Sequence, residues 1–419
     1  MFWLIEDGDQ LKRFCSKSYK EAFVEIIPYS YQEHPSQNKI CAIYIRPLIS
    51  TKGFILSIDH SETLNININD IISLLSKIDT IYTRDKKEFL HYLILKNLFD
   101  ITLTHPTYIQ EFTQTHSWFK QKHPNKIDVN RIVPIVKHYE YCENMYDEIK
   151  DRINCPINEF YNTKCSVVFN AVERNGLRVN RTQFEQNFHG INSDYTYTQY
   201  NFKTLTTRPS NRFKGVNYAA LKKDDGCRKT FIPRHDKLVE VDISAYHPTL
   251  LANLVGYKFG EEDVHAAFAR MYCVDYKKSK ELTFKQLYGG VFKQYKHLEF
   301  FQKVEKYVKE LWKKYEEQGY IECPFSYYKF EKNKLENMNP QKLFNYLLQN
   351  LETAINVRIL WEIIKLLRKR KTKLVLYTYD SFLFDLDNKE EELVEEVLKI
   401  FKKYKLQVKL NYGSNYNFE

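Results

Sequence analysis

Alternating apolar and polar positions mark the beginning of the chain as rich in strands. Three short runs of β-branched and aromatic residues, separated by polar stretches that favour turns, occupy residues 22–29, 40–48 and 53–60. Apolar residues then recur at the three- and four-residue spacing of a helix in residues 69–78 and 87–99. This mixture predicts a small α/β domain that ends near residue 110.

The pattern changes twice further along the chain. Residues 125–200 are mainly polar with helical spacing, whereas residues 237–244, KLVEVDIS, are typical of a strand that leads into an apolar helix. Helical periodicity then covers roughly residues 262–318 and 340–369. A β-hairpin is predicted for KLVLYTYDSFLFDL, followed by a helix in EEELVEEVLKIFKKY and a last strand in LQVKLNYG.

Composition narrows the class of protein. With 419 residues and 43% hydrophobic content, the chain is long enough for two or three domains with buried cores. The net charge of +10 favours a polyanionic partner such as nucleic acid.

Cysteine spacing and hydropathy predict the compartment. The eight cysteines form no CxxC pair, which favours reduced thiols over a zinc site or a disulfide framework. The acidic start MFWLIEDGDQ is unlike a signal peptide, and no apolar run reaches the ~18 residues that span a bilayer. We therefore expect a cytoplasmic protein, or one in host cytosol if it is virus-encoded, with no membrane partner.

Two aspartates stand where strands end, which is a favourable place for metal ligands. Asp242 closes a β-branched run, and Asp380 lies between the two strands of the predicted hairpin. Two such carboxylates on adjacent strands could hold two Mg²⁺ ions ~3.5–4 Å apart, the arrangement that drives in-line phosphoryl transfer. Mg²⁺ suits oxygen ligands, and Mn²⁺ could substitute for it. Taken singly, each aspartate could equally be a turn residue or a helix N-cap.

A third feature is the predicted helix KKSKELTFKQLYGG. Lys280, Phe284 and Tyr288 are spaced by four residues and therefore project from one helix face. A cation followed by two aromatic rings suits a nucleoside triphosphate, with charge for the phosphates and rings for the sugar and base. The alternative is an ordinary amphipathic helix with a solvated lysine and two core aromatics.

In their order along the chain, these segments resemble the family A DNA polymerases, the group of bacterial DNA polymerase I and its phage relatives. The catalytic motifs of that family are similar to DISAYHPTLLANLVG and YDSF, and its nucleotide-binding helix is similar to KSKELTFKQLYGG. Matches to the remaining motifs are VERNGLRVN, TLTTRPSNRF, GVNYAAL, GCRKTFIP, GEEDVHAAFARMY and GYIECP. The resemblance covers roughly residues 165–386.

The resemblance implies a role for each matched residue. Asp242 and Asp380 would bind the catalytic metals, helped by the backbone carbonyl of Ile243, and Lys280 would contact the phosphates. The implied reaction is attack of a primer 3′-hydroxyl on the α-phosphate of a deoxynucleoside triphosphate. The other implied contacts are to the nucleotide, from Phe284, Tyr288, His247 and Lys277, and to the DNA primer-template, from Arg208, Asn217 and Arg228.

The resemblance also implies an architecture that mixes α/β and α+β parts. A small exonuclease-like (ribonuclease H-like) domain would occupy residues 1–115, and a helical connector with a reduced thumb would occupy residues 116–205. Residues 206–419 would form a right-hand polymerase domain with an antiparallel palm sheet and helical fingers at about 257–320. Few residues separate VERNGLRVN from TLTTRPSNRF, so the thumb would be short. A short thumb predicts low processivity, or dependence on a processivity or replication partner protein.

The chain departs from the family pattern around the nucleotide. His247 stands where the family has a glutamate that excludes the ribose 2′-hydroxyl. Tyr276 stands where the nucleotide helix usually begins with an arginine, which leaves Lys277 and Lys278 as candidate substitutes. The second catalytic motif reads YDS rather than HDE around Asp380.

The N-terminal domain departs further. The paired carboxylates of the family's exonuclease are reduced to Glu25, and only Glu88 and Asp100 match later acidic segments. Scattered carboxylates do not hold two metals, so the sequence predicts a domain that does not proofread.

Three functions stay open on the sequence alone. The leading hypothesis is a DNA-templated DNA polymerase. His247 and the YDSF motif keep open an RNA polymerase or primase-like nucleotidyl transferase, which the use of ribonucleotides would distinguish. The non-enzymatic alternative is a decayed polymerase that acts as a nucleic-acid-binding scaffold.

Overall fold

The computed structural model describes residues 3–17, 19–104, 128–188, 190, 193–260 and 262–418. The chain divides into two compact units, Met1–Arg174 and Asn175–Glu419. The division into an exonuclease-like domain, a connector with a reduced thumb and a polymerase domain is defined by function and stays a prediction. Their first boundary, near residue 115, lies outside the described residues.

The first unit is built on a six-stranded mixed sheet. Strands β2, β3 and β4 pair antiparallel, whereas β1 is parallel to β4, β5 is parallel to β2 and β6 is parallel to β5. In sheet order the strands are β1 (Trp3–Ile5), β4 (Phe54–Ser57), β3 (Ile40–Pro47), β2 (Glu21–Pro28), β5 (Thr80–Thr83) and β6 (Leu98–Asp100). The helices described here are α1 (Gly8–Cys15), α2 (Ile68–Leu75), α3 (Lys86–Tyr92), α4 (Ile135–Ile149) and α5 (Ser166–Asn175).

Successive side chains of a strand point to opposite faces of the sheet, and here both faces are buried. In β2, Val24 and Ile26 pack into a core that includes α2, whereas Phe23 and Ile27 pack into a second core that includes α4. The predicted strands at residues 22–29, 40–48 and 53–60 are confirmed as β2, β3 and β4.

The helix predicted over residues 87–99 is wrong in its second half. Helix α3 ends at Tyr92, because Leu93 has an extended backbone with φ −135°. The chain then enters β6, where Leu98 pairs with Ile81. Pairing within the sheet therefore overrides the local helical periodicity.

The second unit contains short strands, long helices and a central sheet. Its strands are β7 (Leu177–Arg178), β8 (Tyr195–Thr196), β9 (Tyr200–Asn201), β10 (Ser210–Phe213), β11 (Val216–Asn217), β12 (Lys237–Ile243), β13 (Tyr320–Glu322), β14 (Lys329–Glu331), β15 (Lys373–Thr378), β16 (Ser381–Leu386) and β17 (Val408–Gly413). Its helices are α6 (Arg181–Asn187), α7 (Tyr246–Val255), α8 (Val264–Tyr272), α9 (Tyr276–Gly289), α10 (Glu299–Gln318), α11 (Pro340–Leu366) and α12 (Glu392–Lys403).

The central sheet is antiparallel and has the strand order β15-β16-β12-β17. One face is apolar, where Val239 and Val241 of β12 adjoin Leu393 of α12. The alternate residues of β12 lie on the other face. There Glu240 is buried and accepts hydrogen bonds from Ser381 Oγ and Asn411 Nδ2, both at 2.8 Å.

The mixed α/β fold class and the antiparallel sheet expected from the sequence are confirmed. The predicted hairpin is β15 and β16, and the predicted last helix and strand are α12 and β17. The long helices expected at roughly 262–318 are α8, α9 and α10. The left-handed φ of 56° at Cys273 ends α8. Within the part of the chain that the structure describes, no helix has both the length and the apolar character required to cross a bilayer.

Candidate active site

A cleft of about 240 Å³ lies in the second unit where β12 ends. Side chains from the central sheet and from four helices, α7, α8, α9 and α11, line it. These residues are Arg208, Asp242, Ile243, Ser244, Ala245, Tyr246, His247, His265, Lys280, Phe284, Tyr288, Glu352, Asp380 and Lys409.

Two neighbouring strand ends bring Asp242 and Asp380 together. Asp242 pairs across the sheet with the first residue of β16, and Asp380 is the residue just before that strand. The backbone N–H of Ile243 donates to the carbonyl oxygen of Asp380 at 2.8 Å. Tyr379 has a left-handed φ of 61°, which is a strained backbone for a tyrosine. Asn356 Nδ2 donates to the carbonyl oxygen of Tyr379 at 2.6 Å and stabilises this turn.

The electrostatic environment of the pair is unfavourable to two negative charges. Burial, the neighbouring Asp380 and Glu240 raise the pKa of Asp242 to about 6, although Lys223 and Lys409 oppose the shift. Asp380 is exposed on one side, but partial loss of water in the cleft and the nearby Glu352 raise its pKa as well. The pair supplies only oxygen ligands and has raised pKa values despite the nearby cations, so these two groups of the cleft could hold Mg²⁺.

A carboxylate that the sequence analysis missed lies beside them. Glu352 of α11 is 1% exposed, and its Oε2 lies 2.8 Å from His247 Nε2 and 3.2 Å from Arg208 Nε. The Nδ1 atom of His247 contacts the hydroxyl of Tyr288. The guanidinium of Arg208 also stacks on Tyr379, with 3.6 Å between its Cζ and the ring centroid.

A signal for Glu352 exists in the sequence. Helix α11 is buried over most of its surface, yet four of its polar residues, Asn350, Glu352, Thr353 and Asn356, are also buried. Buried polar groups need partners, so a polar group of this kind in an apolar helix indicates a functional or structural network.

Two lysines from different elements form a cationic region of the cleft. Lys280 of α9 and Lys409 of β17 both approach the ring of Tyr276, with Nζ 4.7 Å and 6.0 Å from its centroid. His265 of α8 is buried, and its Nδ1 has no hydrogen-bond partner among the described residues. Burial and the charge of Lys280 lower the pKa of His265 to about 4, so the ring is neutral at physiological pH. This region therefore presents two positive charges to a ligand, beside a buried neutral imidazole.

Two aromatic rings complete the cleft. Phe284 and Tyr288 of α9 are parallel within 1°, with ring centroids 6.2 Å apart. Phe284 is 43% exposed, which is unusual for a large apolar side chain in a folded core. An exposed aromatic face beside cations and carboxylates is suited to a base or sugar.

Most of the predicted site residues lie together, and three do not. The cleft contains Asp242, Ile243, His247, Lys280, Phe284, Tyr288, Asp380 and Arg208. Lys277 is exposed on the first turn of α9 and does not line the cleft.

The other two residues outside the cleft have local structural contacts. Arg228 Nε donates to the carbonyl oxygen of Leu221 at 2.9 Å, and its guanidinium lies over Tyr416. Asn217 pairs with Arg212 in the β10–β11 hairpin. Their predicted contact with the primer-template stays a prediction.

The first unit has an acidic pocket, and an arginine lies in it. Glu25 Oε1 accepts hydrogen bonds from Arg84 Nη2 at 3.0 Å and from Arg84 Nε at 3.2 Å. Burial, with contributions from Asp85 and Glu25, raises the pKa of Glu88 to about 7 despite the charge of Arg84. The remaining space is about 10 Å³, roughly the room that one water molecule needs. Asp100 instead accepts backbone hydrogen bonds from Lys86 at the start of α3, at 3.1 Å, and from Thr102 in its own turn, at 3.0 Å.

A second cluster in this unit has the residue types of a metal site. It consists of His34, His91 and Glu173, whose ligand atoms lie within 4.8 Å of one another. His91 Nε2 lies 2.9 Å from Glu173 Oε2, and the ammonium of Lys87 lies 2.7 Å from Oε1. Lys87 already balances the charge of Glu173, so this arrangement is a paired network within the core.

Comparison with known proteins finds similarity in the fold. No protein-family profile and no curated protein matches the sequence. Among solved structures, the chain is similar to the POL domain of Pol1 from M. smegmatis, in complex with DNA primer-template and dNTP, with a TM-score of 0.69 and 12% identity. The similarity covers 99% of each chain. At this identity the likeness shows the fold alone, which is that of a DNA polymerase domain. It supports the resemblance to family A DNA polymerases at that level.

The raised pKa of Asp242 predicts that this carboxylate destabilises the metal-free protein at neutral pH. Its folded-state pKa of about 6 exceeds its ordinary value of 3.8, so its stabilising contribution is present below pH 3.8 and is lost as pH rises through 6. With allowance for solvent screening, Asp242→Asn should raise the free energy of unfolding at pH 7 by about 1 kcal/mol. The gain should be much smaller at pH 4.

Denaturant unfolding at both pH values, with a chelator present, measures this difference. Asp224→Asn is the matched control because Asp224 is an exposed aspartate outside the cleft. A loss of stability in Asp242→Asn at pH 7 would contradict the electrostatic interpretation.

Proposed function

We propose that this chain is a DNA-directed DNA polymerase of the family A type, which adds deoxynucleotides to a primer 3′ end by two-metal phosphoryl transfer. The observation that carries the proposal is the pair of aspartates at neighbouring strand ends, Asp242 and Asp380, in one cleft with Lys280 and Tyr288. The polymerase-domain fold supports it, although a fold by itself does not define a reaction.

The two aspartates would hold two Mg²⁺ ions. When bound, such ions lower the pKa of the attacking hydroxyl and stabilise the charge on the phosphate oxygens. The contribution of the chain is to fix the two carboxylates through the backbone bond between Ile243 and Asp380. Lys280 would stabilise charge on the leaving pyrophosphate, while Phe284 and Tyr288 would pack against the sugar and the base pair.

A second cation for the triphosphate would come from β17. Lys409 lines the cleft and approaches the same ring as Lys280, whereas Lys277 does not line the cleft. The Nζ of Lys409 is 4.0 Å from Asp263 Oδ2, at the limit of an ion pair, so its charge is available to a ligand. We therefore assign to Lys409 the role that the sequence analysis gave to Lys277.

The first unit would be a degenerate exonuclease-like domain that does not proofread. The six-stranded mixed sheet with helices on both faces supports this, and so does the guanidinium of Arg84 among Glu25, Asp85 and Glu88. A permanent cation in that position competes with divalent ions for the same carboxylates.

Primer extension on a DNA template with Mg²⁺ tests the activity. We expect extension with dNTPs, and we expect Asp380→Asn to reduce its rate by more than about a hundredfold, because one of the two metal ligands is lost. Asp224→Asn, which removes an exposed carboxylate outside the cleft, is the matched control.

Parallel reactions with NTPs separate the alternatives. The alternative of an RNA polymerase or primase-like enzyme is favoured by His247, which replaces the family's sugar-excluding glutamate. Extension mainly by NTPs would make the protein an RNA polymerase or primase-like enzyme. No extension with either, together with DNA binding that survives in Asp380→Asn, would make it a scaffold.

The assignment of Lys409 predicts a defect in nucleotide binding. Lys409→Ala should raise KM for dNTPs by about tenfold with a smaller change in kcat, because one charge-assisted contact to phosphate is lost. Lys402→Ala, an exposed lysine of α12, is the control, and steady-state single-nucleotide incorporation is the measurement. A larger effect of Lys277→Ala than of Lys409→Ala would restore the original assignment.

The position of Arg84 in the acidic pocket predicts that the protein does not remove a mismatched nucleotide from the 3′ end of a primer. Asp380→Asn protein, in which polymerisation is expected to be strongly reduced, should not shorten a mismatched 3′ end in Mg²⁺ or Mn²⁺. A gel assay over several hours measures this, with a proofreading polymerase as positive control. Metal-dependent removal of the mismatch, abolished by Glu25→Gln, would show that the domain edits.

A further inference from the structure

We infer that Glu352 is a positioning residue for sugar selection at the nucleotide site, and that it acts through His247 on Tyr288. The inference rests on the proposed polymerase function. It concerns a residue from α11 that lies far along the chain from both partners.

The three side chains form a relay of hydrogen bonds. An ionised carboxylate only accepts, so His247 donates from Nε2 to Glu352 Oε2 at 2.8 Å. The other ring nitrogen, Nδ1, contacts the hydroxyl of Tyr288, so the imidazole lies between the carboxylate and the phenol. Arg208, 3.2 Å from the same carboxylate oxygen, compensates its charge.

Burial and hydrogen bonding of Glu352 and His247 hold the relay in one arrangement. Glu352 is 1% exposed and His247 is 8% exposed. The hydroxyl of Tyr246 adds a further link, at 3.4 Å from the backbone carbonyl oxygen of Glu352. The imidazole therefore cannot rotate without leaving a buried polar group unpaired.

The relay lies where a nucleotide sugar is expected. His247 and Tyr288 line the cleft together with Asp242 and Asp380, and the ring of Tyr288 is parallel to that of Phe284. The hydroxyl of Tyr288 is engaged by His247 Nδ1, so a contact of this hydroxyl with a ribose 2′-hydroxyl would compete with that hydrogen bond. A 2′-hydroxyl would have to displace the fixed imidazole or remain unpaired, and both cost free energy. The carboxylate that the resemblance places at position 247 is thus supplied from α11, with the imidazole between it and the sugar.

The ratio of kcat/KM for a dNTP to that for the matching rNTP tests the inference. Glu352→Leu removes the acceptor of His247, and we expect the ratio to fall by about tenfold, chiefly through better use of the rNTP. Glu352→Gln retains an acceptor oxygen of similar size and should stay within about threefold of the parent. Glu362→Gln is the matched control on α11, since Glu362 pairs with Lys403 and Tyr404 outside the cleft.

Tyr288→Phe provides a second variant if Glu352→Leu does not fold. It removes the hydroxyl that binds His247, and it should lower the ratio in the same direction while the aromatic ring is retained. Equal losses of kcat/KM for both sugars in Glu352→Leu would show a merely structural role and overturn the inference. So would a parental ratio in both Glu352→Leu and Tyr288→Phe.

Binding without turnover separates this inference from the proposed function. Calorimetry with dATP and ATP, with Ca²⁺ in place of Mg²⁺, measures sugar preference independently of synthesis. We expect the preference of the parent for dATP to shrink by about fivefold in Glu352→Leu. Absence of primer extension in the parent would refute the polymerase function, whereas equal preference in parent and variant would refute the role of Glu352.

Discussion

Two carboxylates held side by side in a partly dehydrated cleft are the constraint on which the second unit depends. Their mutual repulsion and loss of water raise the pKa of Asp242 to about 6, so the arrangement opposes folding at neutral pH. Side-chain contacts do not hold the pair together. The sheet does so through the ladder of β12 and β16 and the bond from Ile243 N–H to the carbonyl oxygen of Asp380. The apolar face of the same sheet provides the compensating stability.

Positive charge reaches the cleft from distant parts of the chain. Arg208 precedes β10, Lys280 lies on α9, and Lys409 lies on β17 at the end of the fold. Each is held by an aromatic ring, Tyr379 for Arg208 and Tyr276 for both lysines. Such rings attract a cation through their π face, which restrains its position in the cleft. The high tyrosine content of the chain thereby contributes to the cleft as well as to the core.

The elements that the sequence predicts correctly are those with a local pattern. Strand β12 and the hairpin β15–β16 follow from their own residues, and so does the i, i+4 alignment of Lys280, Phe284 and Tyr288. The sequence does not predict the roles of Glu352 and Lys409, because these roles depend on contacts between residues that are distant in the chain. Lys409 reaches the site only through the register that sets it opposite Asp242.

The arginine in the acidic pocket of the first unit has a consequence for how the stability of each unit depends on the concentration of divalent metal ions. A bound divalent ion dissociates when its free concentration falls, whereas the guanidinium of Arg84 is covalently part of the chain and always charged. If the two aspartates hold Mg²⁺ as proposed, a fall in free magnesium would lower the stability of the second unit, whereas the acidic pocket of the first unit would keep Arg84 as its counter-ion.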